Sequence, residues 1–162
     1  MKKTLKSSSG LTLIELMLVL TITAIISSVG IINIFNFKAN QDLDNTAKEI
    51  VASLREANAK SITGDNLNPL LNERWGVHFD NTSSPAFYEI FNGDSYPGTT
   101  FRKRILNPGL EFEIPVGGSS LDVFFDKLTG ITNPTQNVKI RLKTDTSKFK
   151  IISINSNGSI DF

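Results

Sequence analysis

Glu15 is the one charged residue in residues 11–37, a stretch that is otherwise apolar or small and polar. A carboxylate in such surroundings is costly to place in a membrane and normally has a partner or a task. An α-amino group is the simplest partner the chain could supply. A cut after Gly10 makes Leu11 the first residue and brings its ammonium near Glu15. The same ammonium could reach Glu15 of a neighbouring chain. In an apolar bundle that pairing is strongly favoured over leaving either charge alone, and it fixes the axial offset between neighbours as a buried polar group fixes a coiled-coil register.

A second set of charges alternates with apolar residues near the C-terminus. Lys139, Arg141 and Lys143 interleave with Val138, Ile140 and Leu142; Lys148 and Lys150 interleave with Phe149 and Ile151. A four-residue hairpin loop over 144–147 sets Lys143 opposite Lys148 and Arg141 opposite Lys150, with Leu142 opposite Phe149 and Ile140 opposite Ile151 on the core face. The five cations then share one face, a candidate polyanion-binding patch with DNA as the natural ligand. The plainer reading is a solvated strand face of long snorkelling side chains that blunts a sheet edge. Arg102, Lys103 and Arg104 form a second basic run with the same two readings.

The rest of the chain offers no catalytic constellation. With no cysteine, thiolate metal sites, thiol nucleophiles and disulfides are excluded. The single histidine, His78, lies between Val77 and Phe79 in an alternating segment, which makes it an exposed or packed sheet residue on the face opposite both. Ser83-Ser84 and Ser119-Ser120 fall in loops without a base. Gly117-Gly118 lacks the Lys-Ser/Thr and helix of a phosphate loop. Asp122, Asp126 and Asp145 do not have calcium-loop spacing. No cofactor is implied.

The elements that carry Glu15 follow from hydropathy. The 162 residues allow one modest domain plus one membrane segment, and 40% hydrophobic with 20% charged residues fits neither disorder nor a multi-span protein. Residues 11–37, as a helix rising ~1.5 Å per residue, are long enough for the ~30 Å bilayer core. Lys2, Lys3 and Lys6 precede it and would stay on the cytoplasmic side. Taking those three lysines from the 17 basic residues leaves 14 against 16 acidic ones, so the basic excess belongs to a leader. A secretory signal peptide has a shorter apolar core, with its cleavage site after that core. An uncleaved single-pass anchor stays open as well.

The stretch Ser9-Gly10-Leu11-Thr12-Leu13-Ile14-Glu15, behind a basic leader and ahead of an unbroken apolar run, resembles the signal of type IV prepilins and type II secretion pseudopilins. The resemblance implies that a prepilin peptidase cuts after Gly10 and methylates the Leu11 amine, and that Glu15 acts in subunit recruitment. It implies other pilin or pseudopilin subunits and an inner-membrane assembly platform as partners. The chain departs from many members in beginning the mature sequence with Leu11 rather than Phe, and in having Ile32 where a helix-breaking proline is common. Gly30, followed by Asn33 and Asn36, offers a softer weak point.

Beyond residue 37 the pattern becomes one-sided. Leu43, Ala47, Ile50, Val51, Leu54, Ala57 and Ile62 recur at helical spacing, with Gly64 as the stop. After an Asn-rich loop containing Pro69 the period changes to two. Strands are predicted at 75–79, 86–91, 101–106, 110–114, 121–126, 138–143 and 149–154, with a short piece at 159–162, separated by Gly, Asn and Pro turn clusters. The predicted architecture is α+β: a long N-terminal α-helix packed on an antiparallel β-rich globular head. Its parts are a leader (1–10), a transmembrane and assembly helix (11–37), an amphipathic continuation (38–64) and the head (65–162). This layout, with the helix ending in Leu54-Arg-Glu-Ala-Asn-Ala-Lys-Ser-Ile62 and then Trp75-Gly-Val, is similar to H-type (GspH) minor pseudopilins and FimT-like minor pilins. Some relatives bind DNA through a basic C-terminal Gly-Arg-x-Arg element; here the letters are Gly158-Ser159-Ile160-Asp161. The expectation is a non-catalytic subunit of a type IV pilus or secretion pseudopilus, held in the inner membrane before assembly with its head periplasmic or extracellular. DNA uptake and a non-polymerising membrane protein are the alternatives.

Overall fold

The computed structural model describes residues 12–67, 73–132 and 134–162, leaving aside the side chains of 28–36. The chain divides into two compact units, Met1–Lys38 and Ala39–Phe162. Helix α1 is Leu13–Thr63.

Over residues 13–26 the apolar side chains of α1 face outward. Leu13, Ile14, Ile25 and Ile26 are 66–77% exposed, and Leu16, Met17, Leu18, Val19, Leu20 and Ile22 are all exposed. The threonines do not interrupt this surface with unmet hydroxyls: Thr21 Oγ1 donates to the Leu18 carbonyl at 2.9 Å, and Thr23 Oγ1 to that of Val19 at 2.8 Å. Among the described residues no helix is long and apolar enough to cross a membrane. The apolar stretch read from the sequence includes 28–36, whose side chains lie outside that description.

In the second unit α1 buries one stripe. Leu43, Ala47, Ile50, Val51, Leu54 and Ala57 are buried, as the 3.6-residue period requires. Ile62 departs from the expectation: it is 47% exposed, and Ser61 takes the inward position, donating from Oγ to the Phe125 carbonyl at 2.7 Å. The helix ends at Gly64 in the left-handed region (φ +69°). The Gly64 amide bonds the Ser61 carbonyl and the Asp65 amide that of Lys60, a Schellman closure.

The eight strands are β1 (Trp75–Asp80), β2 (Phe87–Asn92), β3 (Thr99–Ile105), β4 (Leu110–Ile114), β5 (Ser120–Phe125), β6 (Gln136–Leu142), β7 (Phe149–Ile154) and β8 (Ile160–Asp161). They form two four-stranded antiparallel sheets, ordered β3-β2-β1-β5 and β4-β6-β7-β8. One core joins the helix stripe to Trp75, Val77, Phe79, Val123 and Phe125 of the first sheet and Phe112, Val138, Ile140, Ile152 and Ile154 of the second. The α+β class expected from the sequence is the one observed.

The sheets differ in their outer faces. The second has clean alternation, with Val138, Ile140 and Leu142 buried and Phe149 and Ile151 exposed. The first is buried on both faces along β1 and β2. There Gly76 lets the Phe91 ring lie on the strand; a Cβ at Gly76 would stand 2.9 Å from that ring and from the Val123 carbonyl. Residues 93–98 fold over this face and bring Tyr96 edge-on to Phe91, with ring centroids 5.4 Å apart.

Candidate functional site

Glu15 sits in the first turn of α1 and is engaged by its own chain. Its Oε2 accepts from the Thr12 amide at 2.9 Å and from the Thr12 hydroxyl at 2.8 Å. Thr12 Oγ1 in return accepts from the Glu15 amide at 3.3 Å. This reciprocal arrangement is a capping box, with Thr12 as the cap and Glu15 three residues on. It satisfies amides that a helix start leaves without intrahelical partners and puts a negative charge at the positive end of the helix dipole. Reading Glu15 only as a charge seeking an ammonium misses Thr12. The signal was present in the letters, since Thr-x-x-Glu ahead of an apolar run is the capping-box pattern. Gly10 and Leu11 lie outside the described residues.

The five cations near the C-terminus do not form one face. The hairpin pairs Ile140 with Lys150, Lys139 with Ile151 and Arg141 with Phe149, one residue away from the expected register. The cause is the loop. The Leu142 amide bonds the Lys148 carbonyl at 3.1 Å, so the connection is 143–147, not 144–147. Asp145 shapes it by accepting from the Ser147 amide and hydroxyl at 3.2 and 2.6 Å. A one-residue slip moves a strand's side chains to the other face relative to the expected pairing.

Each cation also has a partner. Lys139 Nζ meets Glu113 at 2.8 Å, and Arg141 meets Glu111 at 2.6 Å and Glu113 at 3.4 Å. Lys150 reaches Asp44 on the helix at 3.0 Å, Lys148 lies 4.0 Å from Asp145, and Lys143 donates to the Pro108 carbonyl at 2.9 Å. The hydrogen bond from Lys139, with the charge of Arg141, holds the Glu113 carboxyl below its usual range. The shared basic face expected from the sequence is therefore replaced by a ladder of opposite charges across β4 and β6, built from Glu111 and Glu113, which the sequence reading left unassigned. In the second basic run, Arg102 makes a two-pronged contact with Glu56 at 2.7 and 3.2 Å.

His78 is a packed sheet residue, buried, with Nδ1 2.5 Å from Asp122 Oδ1. Among the described residues, no three His, Cys, Asp or Glu side chains are grouped to hold a metal ion.

Comparison with known proteins bears on the N-terminus. Residues 5–31 match the prokaryotic N-terminal methylation motif, which takes in Gly10, Leu11, Thr12 and Glu15. No curated protein matches the chain. Among solved structures, the type IV minor pilin FimU of Pseudomonas aeruginosa is similar at 18% identity and a TM-score of 0.49, over 74% of this chain and 90% of that one. The chain thus carries the prokaryotic N-terminal methylation motif at the end where Thr12 and Glu15 form their box.

Proposed function

We propose that the chain is a structural, non-catalytic minor subunit of a type IV pilus or secretion pseudopilus, assembling through the N-terminal part of α1. The observation that carries this reading is the Thr12–Glu15 box inside the methylation motif. Cleavage after Gly10 would leave Leu11 as the single residue before Thr12. The new ammonium would then lie one residue from an amide that Glu15 already holds. Both of the box's bonds to Glu15 end on Oε2, so we assign Oε1 to a neighbouring subunit's ammonium. The exposed apolar surface of Leu13–Ile26 supports the same reading, because a contiguous patch of that kind marks a membrane or protein contact. Before assembly the precursor would be anchored in the inner membrane with its lysine-bearing leader cytoplasmic. Prepilin peptidase, an assembly platform and other pilin-like subunits are its partners in this reading.

The DNA-uptake alternative rested on Lys139, Arg141, Lys143, Lys148 and Lys150 acting together. Their dispersal and their carboxylate and carbonyl partners remove that support. Glu15→Gln tests the favoured reading. The variant keeps an acceptor for Thr12 but loses the charge that binds an ammonium. We expect it to be processed and to remain in the membrane fraction while disappearing from sheared filaments. Filament incorporation equal to the parent chain would overturn the assembly role of Glu15.

A further inference from the structure

A row of ionisable side chains crosses the outer face of the first sheet. Cross-strand pairing sets Glu89 of β2 and Asp122 of β5 on either side of His78 of β1. His78 and Glu89 are buried at 3% and 5% exposure, and His78 Nδ1 lies 2.5 Å from Asp122 Oδ1. Tyr96, from residues 93–98, covers the row. Its ring stacks on the imidazole with centroids 3.5 Å apart and planes 1° from parallel. Its hydroxyl donates to Glu89. Burial, that hydrogen bond and the charges of Glu89, Asp80 and Asp122 together push the Tyr96 phenol up to about 12.

The other charges around the row are committed elsewhere. Lys103 of β3, paired across from Glu89, lies with Nζ 3.4 Å above the Phe87 ring. Asp80 accepts from Thr82 and Ser83 at 2.6–3.1 Å. Asp94 in the loop faces Arg74 at 3.5 Å.

We propose that the Glu89–His78–Asp122 row is a proton-operated clasp, which holds residues 93–98 against the sheet when His78 is charged and loosens them when it is neutral. With an imidazolium at the centre, one cation separates two carboxylates. The Tyr96 ring then gains a cation–π contact while its hydroxyl is fixed by Glu89. With a neutral imidazole, the Nδ1 hydrogen can still serve Asp122, but the buried Glu89 loses the cation on its β1 side and keeps only Lys103, whose ammonium is drawn over the Phe87 ring, which is unfavourable. Tyr96 is the link between that charge and the loop. Histidine is the side chain that ordinarily changes charge between pH 5 and 8, and that is the range over which the clasp is tested. The loop base is held independently of the row, by the Gly93 amide on the Arg74 carbonyl at 2.9 Å and the Asn92 side-chain amide on the same carbonyl, also at 2.9 Å. Opening would therefore swing the segment out without unpairing β1 from β2.

The test is amide hydrogen exchange on the full-length chain in detergent micelles, corrected for intrinsic rates, at pH 5 and pH 8. Protection of the amides of residues 94–96 and 98 should be about tenfold greater at pH 5, with β6 unchanged. His78→Gln and the near-isosteric Glu89→Gln should each flatten the difference to about twofold or less. Equal protection at both pH values in the parent chain, or an undiminished pH effect in both variants, would overturn the clasp.

Discussion

The apolar residues in the two parts of α1 meet opposite fates. Leu43, Ala47, Ile50, Val51, Leu54 and Ala57 keep helical spacing, stand between charges and are buried to 4% exposure or less. From Leu13 to Ile26 they surround the helix and are about half exposed or more. The difference lies in density and arrangement. A one-sided stripe can be covered by the chain's own sheets, whereas an all-round apolar surface needs lipid or other helices. The first part is therefore built for partners and the second for the fold.

Mutations can break this contrast in either direction. The largest expected effect is on the buried stripe. Ile50→Ala or Leu54→Ala removes a fully buried side chain from the core and should lower head stability by about 2–5 kcal/mol, measured by denaturant unfolding followed through Trp75 fluorescence. The matching change Leu18→Ala should leave that unfolding within about 0.5 kcal/mol of the parent. A smaller effect is expected at the cap. Thr12→Ala should cost ~0.5–2 kcal/mol, confined to the first turn and read as faster amide exchange there, while Thr12→Ser retains the box. The smallest concerns acid. Hydrogen bonds from Lys48 and then Lys150 hold the Asp44 carboxyl below its usual range. A depressed carboxylate contributes stability above its unfolded value and loses it as pH falls through the folded one. Asp44→Asn should therefore make head stability decline less steeply with acid below about pH 4, at the end of the unfolding series where carboxylates protonate.

Much of the fold was legible in the letters because it depends on local periodicity. The helix stop at Gly64 and all eight strands were marked by period and by turn residues. Ile62 was misplaced because helical spacing alone does not tell where a face ends; Ser61, with a carbonyl to bond, took the inward position. The β6–β7 register was misread because one loop residue decides it, and the turn made by Asp145 with Ser147 lengthened the loop. The basic patch failed with that register. It also failed because Glu111 and Glu113 come from a strand distant in sequence, and no local pattern shows which strand will lie beside β6. His78 looked like an ordinary alternating residue. Its burial depends on residues 93–98 folding over the sheet, a tertiary event that β1 itself does not encode. The capping box differs from all of these, being entirely local and readable from Thr12 and Glu15.

In the proposed function the chain is processed at Gly10 and works from the new end. Mass spectrometry of the N-terminal peptide, taken from protein isolated from its native host, tests this most directly. The expected result is a chain that begins at Leu11 and carries a methyl group on its amine. A chain still beginning at Met1, or one cleaved beyond the apolar stretch, would contradict it.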